Sequence, residues 1–119
     1  LRTMEFYDEG RVVVVTLPLS LAERLSLTEA DMDDVSALGG VVEGTDCSIT
    51  MKETKDGAWK ISVRTGHDTN ACNIARRLGG GGHPRAAGCE ISGNPDNAKH
   101  AILEEVKKEL DRADAEKAQ

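Results

Sequence analysis

The chain has 119 residues, enough for one hydrophobic core and too few for two ordinary domains. Its three cysteines are an odd number without close pairs, which speaks against a disulfide framework and fits a reducing cytoplasm, and its three aromatics, Phe6, Tyr7 and Trp59, leave little for a base-stacking platform. A net charge of −6 argues against a general nucleic-acid binder, but residues 59–88 carry five basic side chains against one acidic, a local positive island that suits a small anionic ligand.

The sequence begins at Leu1 without an initiator methionine, a charged leader or an apolar run of membrane-span length, so a soluble piece of a longer protein is expected, without secretion or membrane contact. Met4 to Tyr7 and Arg11 to Leu17 read as two strands of a hairpin around Asp8-Glu9-Gly10, with Val12 to Val15 an apolar β-branched run. Ser20-Leu-Ala-Glu23 fits a capping box opening a short helix. Thr28-Glu-Ala-Asp31 is a weaker one before Met32, Val35 and Leu38, a second helix that ends at Gly39-Gly40. Cys47, Ile49 and Met51 alternate with polar residues, and after Asp56-Gly57 the alternation resumes with Trp59, Ile61 and Val63 against Lys60, Ser62 and Arg64. This second hairpin puts Trp59 in the core and Arg64 on the polar face at a strand end.

Asp68, Thr69 or Asn70 can cap a helix carrying Ala71, Ile74, Ala75 and Leu78, with Gly79 suited to end it in a left-handed conformation. Ala87 to Ile91 reads as another strand. Asn94-Pro95 then supplies a cap and a first-turn proline for a helix with Ala98, Ile102, Val106 and Leu110 along one stripe. The expectation is a single α+β domain spanning 1–119, a mixed sheet of about five strands with flanking helices and a frayed tail from about 113 to 119.

Gly79-Gly-Gly-Gly-His-Pro-Arg-Ala-Ala-Gly88 carries the chemistry. Four consecutive glycines cost conformational entropy and add nothing to a core, so they call for a backbone reason. Without Cβ atoms the chain can turn sharply and present successive N–H groups to an anion, for which phosphate is the natural guest. His83 can donate from a ring nitrogen, Arg85 can add a charge-assisted bond, and Arg64 can converge from the strand end. A flexible connector is the plain alternative, but the immediate His-Pro-Arg and the small Ala86-Ala87-Gly88 favour a binding loop.

This decapeptide, together with Ile61-Ser-Val-Arg-Thr65 and the helix between, resembles the carboxyl-terminal DHHA1 domain of DHH-family phosphoesterases. The likeness is strongest to the group of nanoRNases, 3′-phosphoadenosine 5′-phosphate phosphatases and cyclic-di-AMP phosphodiesterases, and it runs from about Met4 to Leu110. The resemblance implies a chain that binds short RNA or a small phosphorylated nucleotide across a cleft from an amino-terminal DHH domain, which would hold two manganese ions and perform the hydrolysis. It implies that Gly80, Gly81, Gly82 and His83 hold substrate phosphate, with Arg64 a further contact. Asn70 is a contact or a helix cap, and Arg85 is a weaker carry-over. The parent protein could pair as a homodimer. No Asp-His-His signature occurs, since His67-Asp68 has the wrong order, so the catalytic DHH domain is absent and the fragment alone is expected to be inactive. The alternatives within the resemblance are a non-catalytic tRNA-binding or association module of an alanyl-tRNA-synthetase-like protein and the DHHA1 domain of a RecJ-type single-strand exonuclease.

Other constellations have simpler readings. His67, Cys72, His83 and Cys89 lack metal-ligand spacing, so no metal is expected here. Glu29, Asp31, Asp33 and Asp34 read as a solvated helix start, and His100 as a surface residue.

Overall fold

The computed structural model describes residues 4–24, 26 and 44–119. It is built on one six-stranded sheet in the order β1-β2-β3-β4-β6-β5, with β1 Met4–Tyr7, β2 Val12–Leu17, β3 Cys47–Glu53, β4 Ala58–Thr65, β5 Gly81–Gly82 and β6 Ala86–Ser92. Only β2 and β3 run parallel; the other neighbours are antiparallel, so the sheet is mixed. Three α-helices occur among the described residues, α1 Leu19–Arg24, α2 Ala71–Arg76 and α3 Pro95–Lys117, with a 3-10 turn at Asp8–Gly10 between β1 and β2.

The register explains the alternation seen in the sequence. Ile49 stands opposite Val63 and Met51 opposite Ile61, and Ile61 in turn opposite Cys89. These residues share one face and are sealed there by Ala71, Ile74 and Ala75 of α2 and by Ala98, Ile102, Val106 and Leu110 of α3. The α3 residues recur at helical spacing, which is why one stripe of a polar helix can cover a sheet. Trp59 belongs to this core, and its indole N–H donates to the Gly93 carbonyl at 3.2 Å. All six residues of β2 are buried, as a continuous apolar run requires when both faces of a strand are covered; Val15 and Leu17 pack on the second face with Ala22 of α1.

Two cysteines of the core show what burial does to a thiol. Burial pushes the Cys47 thiol up to about 12 and that of Cys89 to about 11. Both, with Cys72, are free and buried.

The mixed sheet with flanking helices is as expected, and four details differ or fall elsewhere. A sixth strand exists: Gly81–Gly82, within the glycine run, pairs with β6. Helix α1 starts at Leu19, so Ser20 lies inside it and not at the cap; the Pro18 carbonyl accepts from Leu21 and Ala22, and the Leu19 N–H donates to Glu53 Oε1 at 2.7 Å. The tail expected to fray is helical through Lys117, because Ala113 is buried and Asp114 takes both Nη atoms of Arg11 at 3.0 and 2.9 Å. The helix expected from Thr28 to Leu38, with its acidic residues, lies outside the described residues. Among the described residues no helix is long and apolar enough to cross a membrane.

Candidate phosphate-binding site

Helix α2 begins as the sequence suggests, with Asn70 Oδ1 accepting from the Asn73 N–H at 2.9 Å. It ends in a Schellman arrangement: the Gly80 N–H reaches back to the Ala75 carbonyl at 2.9 Å and the Gly79 N–H to Arg76 at 3.1 Å, with Gly79 at φ +84°. Gly80 then lies against β6, where a Cβ would stand 2.1 Å from the Gly88 carbonyl oxygen. Gly82, at φ +148°, would place a Cβ 2.6 Å from Ala87 Cα. Three of the four glycines are therefore demanded by the fold itself. Gly81 is different: a Cβ there meets nothing within 4 Å.

The backbone donors tell a complementary story. His83 and Ala86 exchange both backbone bonds, at 2.8 and 3.2 Å, closing a turn whose central residues are Pro84 and Arg85. The alternation of an antiparallel ladder then directs Gly81 inward to its partner Gly88 and turns the Gly82 N–H to the open sheet edge. Of the successive N–H groups expected to cradle an anion, those of Gly79 and Gly80 are consumed in the helix end and that of Gly81 in the ladder. The tetrad is thus a helix stop followed by an edge strand, not an open nest.

The turn is clamped to the rest of the molecule. The Pro84 carbonyl accepts from the Ala71 N–H at 2.8 Å and from Thr65 Oγ1 at 3.0 Å, and the Thr65 N–H donates to the Arg85 carbonyl at 3.1 Å. Register and alternation place Arg64, Ala86 and His83 side by side on the second face, with Gly88 and Gly81 forming the adjacent row. The result is a floor of small residues, Gly81, Ala86 and Gly88, between two exposed side chains able to donate to an anion. Neither the Arg64 guanidinium nor the His83 ring has a partner among the described residues.

Asn70 and Arg85 are brought together elsewhere. With His67, Arg112, Glu116 and Lys117 they line a polar cavity of about 300 Å³ between the β4–α2 loop and the end of α3. There Asn70 is first a structural residue: its side chain caps α2 and its N–H donates to Glu109 Oε2 at 2.8 Å. Sequence reasoning missed Glu109. Fully buried, it also accepts from Asn73 Nδ2 at 3.2 Å and from Arg112 Nε and Nη2 at 2.9 and 2.6 Å. Burial pushes its carboxyl up, but the Arg112 guanidinium and the donors from Asn70 and Asn73 outweigh this and hold it below the usual carboxylate range. The available signal was an acid one step off the apolar stripe of α3, three residues after Val106.

Among the described residues no three His, Cys, Asp or Glu side chains gather as a metal site.

The sequence profile described as "DHHA1 domain" matches residues 22–112. A "Bifunctional oligoribonuclease and PAP phosphatase NrnA" from Thermus thermophilus is 38% identical over 114 residues, covering 95% of this chain and 33% of that protein. Among solved structures, an exopolyphosphatase-related protein from Bacteroides fragilis has a TM-score of 0.83 at 19% identity, over 93% of this chain and 33% of the other. The pGpG-specific phosphodiesterase PggH of a Vibrio species has 0.59 at 17%, over 89% and 36%. At such identities the last two show a shared fold, and the chain spans about a third of the length of each of these proteins.

Proposed function

This chain belongs to the DHHA1 domain family, and from that premise we propose that it is the substrate-gripping, carboxyl-terminal domain of a manganese-dependent phosphodiesterase. Its substrates are short oligoribonucleotides, 3′-phosphoadenosine 5′-phosphate, or linear or cyclic dinucleotides. The reading draws on the Thermus thermophilus relative, whose name joins an oligoribonuclease and a PAP phosphatase activity. Hydrolysis and both metal ions are assigned to a DHH domain in the same longer protein. Three free, buried cysteines support a reducing cytoplasm as its compartment.

The observation that carries the proposal is Gly81. It is the one glycine of the tetrad whose lack of a side chain the fold does not need, and it opens onto the face shared by Arg64 and His83. A phosphate set against that floor meets the Arg64 guanidinium and a ring nitrogen of His83, with the Gly82 N–H at the adjoining edge. Asn70 and Arg85 approach from the other side of the turn as secondary contacts, and Gly80 holds the floor against α2. Fixing phosphates next to the scissile one removes the orientational freedom a hydrolytic centre would otherwise have to overcome.

The test is a titration of the isotope-labelled chain with 3′-phosphoadenosine 5′-phosphate, followed at the amides of Gly80 to His83 and at the Arg64 side chain. Saturable shifts there are expected, and Arg64→Ala or His83→Ala weakens them. Unmoved signals at millimolar ligand overturn the assignment, and metal-dependent turnover by this chain alone overturns the division of labour.

A further inference from the structure

The phosphate site does not stop at Arg64. Along β4 the residues on its face are Arg64, Ser62 and Lys60, every second position of one strand. On β6 they stand beside Ala86, Gly88 and Glu90. On the other side, β3 is closed: Ser48 and Thr50, opposite Arg64 and Ser62, are both 4% exposed, and only Lys52, opposite Lys60, leads out again. The open strip is thus bounded by the covered part of the sheet and floored by Gly88.

Two cavities continue one another along this strip. The first, about 290 Å³, is lined by Lys60, Ser62, Gly88 and Glu90. The second, about 380 Å³, lies around Lys52, Lys55, Lys60 and Thr54 at the β3–β4 turn. Lys60 belongs to both. Glu53, which also lines the second, has Oε1 occupied by the Leu19 N–H. From Arg64 to Lys60 is about 13 Å of strand, some four base steps of a stacked single strand at ~3.4 Å each and fewer of an extended one.

We propose that the open face of β4 is a track for a single-stranded oligonucleotide, running from the phosphate site at Arg64 over Ser62 and Gly88 to a terminal phosphate clamp of Lys60 with Lys52 and Lys55. The proposal rests on the assignment of the Arg64 site and deepens it: the preferred substrate is a short oligonucleotide, not a mononucleotide. The track reads phosphates. No aromatic side chain lines either cavity, so affinity grows with each phosphate that reaches a lysine and carries little base preference. Glu90 faces one flank of the track at the Lys60 level and disfavours a strand that strays across β6.

The experiment measures binding of 3′-phosphoadenosine 5′-phosphate, a diadenylate and oligoadenylates of increasing length to the 119-residue chain at several salt concentrations. Affinity is expected to rise from the dinucleotide and level off once the strand reaches the lysines. Lys60→Gln is expected to take the larger part of the length-dependent gain, lower the salt slope by about 0.7, and leave the affinity of the bisphosphate alone. Lys55→Gln, at an exposed turn position, should take part of the same gain and guards against a folding artefact at Lys60. Affinity that does not change with length, or a Lys60→Gln loss equal for the bisphosphate and the longest strand, overturns the track while leaving the Arg64 site standing. No binding of any of these ligands removes the Arg64 site and the track together.

Discussion

Glu109 and Arg64 lie near the same clamped turn, on opposite faces of the sheet. Glu109 is enclosed by α2 and α3 and has both oxygens filled by Asn70, Asn73 and Arg112. Arg64 stands on the open face beside His83 with no partner among the described residues. A buried carboxylate must be saturated with donors to remain charged, whereas an exposed guanidinium tolerates being left alone and so stays available to a ligand. The difference separates what holds the loop from what the loop can hold.

That contrast can be broken by substitution. Glu109→Ala should be the most damaging change, destabilising the chain by about 2–4 kcal/mol, since it takes the acceptor from the Asn70 N–H and the Asn73 amide and empties a buried site, while Arg112 keeps Glu116; chemical denaturation measures it. Arg64→Ala should leave the midpoint of unfolding within about 0.5 kcal/mol of the parent yet weaken phosphate-ligand binding by about 1.5–3 kcal/mol, roughly ten- to a hundredfold. If Arg64→Ala unfolds the chain or Glu109→Ala does not, the assignment of the two residues is reversed.

A finer contrast lies inside the tetrad. Gly80→Ala drives a Cβ into the Gly88 carbonyl and should cost about 1–3 kcal/mol of stability in a thermal melt. Gly81→Ala meets open space, so the fold should persist while the ligand is pushed from its floor. The smallest effect concerns pH. Because the folded value of Glu109 lies below the ordinary 4.5, its contribution is complete above that value and fades as pH falls through the lower folded one. Glu109→Gln should flatten this acid limb of the stability curve, seen by denaturation at stepped pH.

What could be read from the sequence was what is encoded locally. The alternation of Cys47 to Val63 fixes a hairpin and its inward face, and Asn70, Gly79 and Asn94-Pro95 mark helix ends through their own backbone preferences. β5 was invisible because glycine carries no strand preference; Gly81 and Gly82 are a strand only because β6 lies alongside. Arg85 was grouped with Arg64 because they are close in the motif, but a turn residue has no alternation to fix its direction, and it faces α3. Glu109 reads as one more surface acid on a charged helix until Asn70, 39 positions earlier, is known to sit against it. Likewise Lys60, Lys52 and Lys55 gain meaning only when two cavities join them.

The unequal use of the tetrad's backbone donors also has a kinetic side. Gly79, Gly80 and Gly81 each spend their amide hydrogen inside the protein, and Gly82 alone turns its own to water at the sheet edge. In hydrogen–deuterium exchange four chemically identical residues should therefore behave unequally, with Gly82 labelling first and its neighbours waiting for a local opening. A ligand seated on Arg64 and His83 would slow that one amide, so the glycine run contains its own occupancy clock and needs no attached probe.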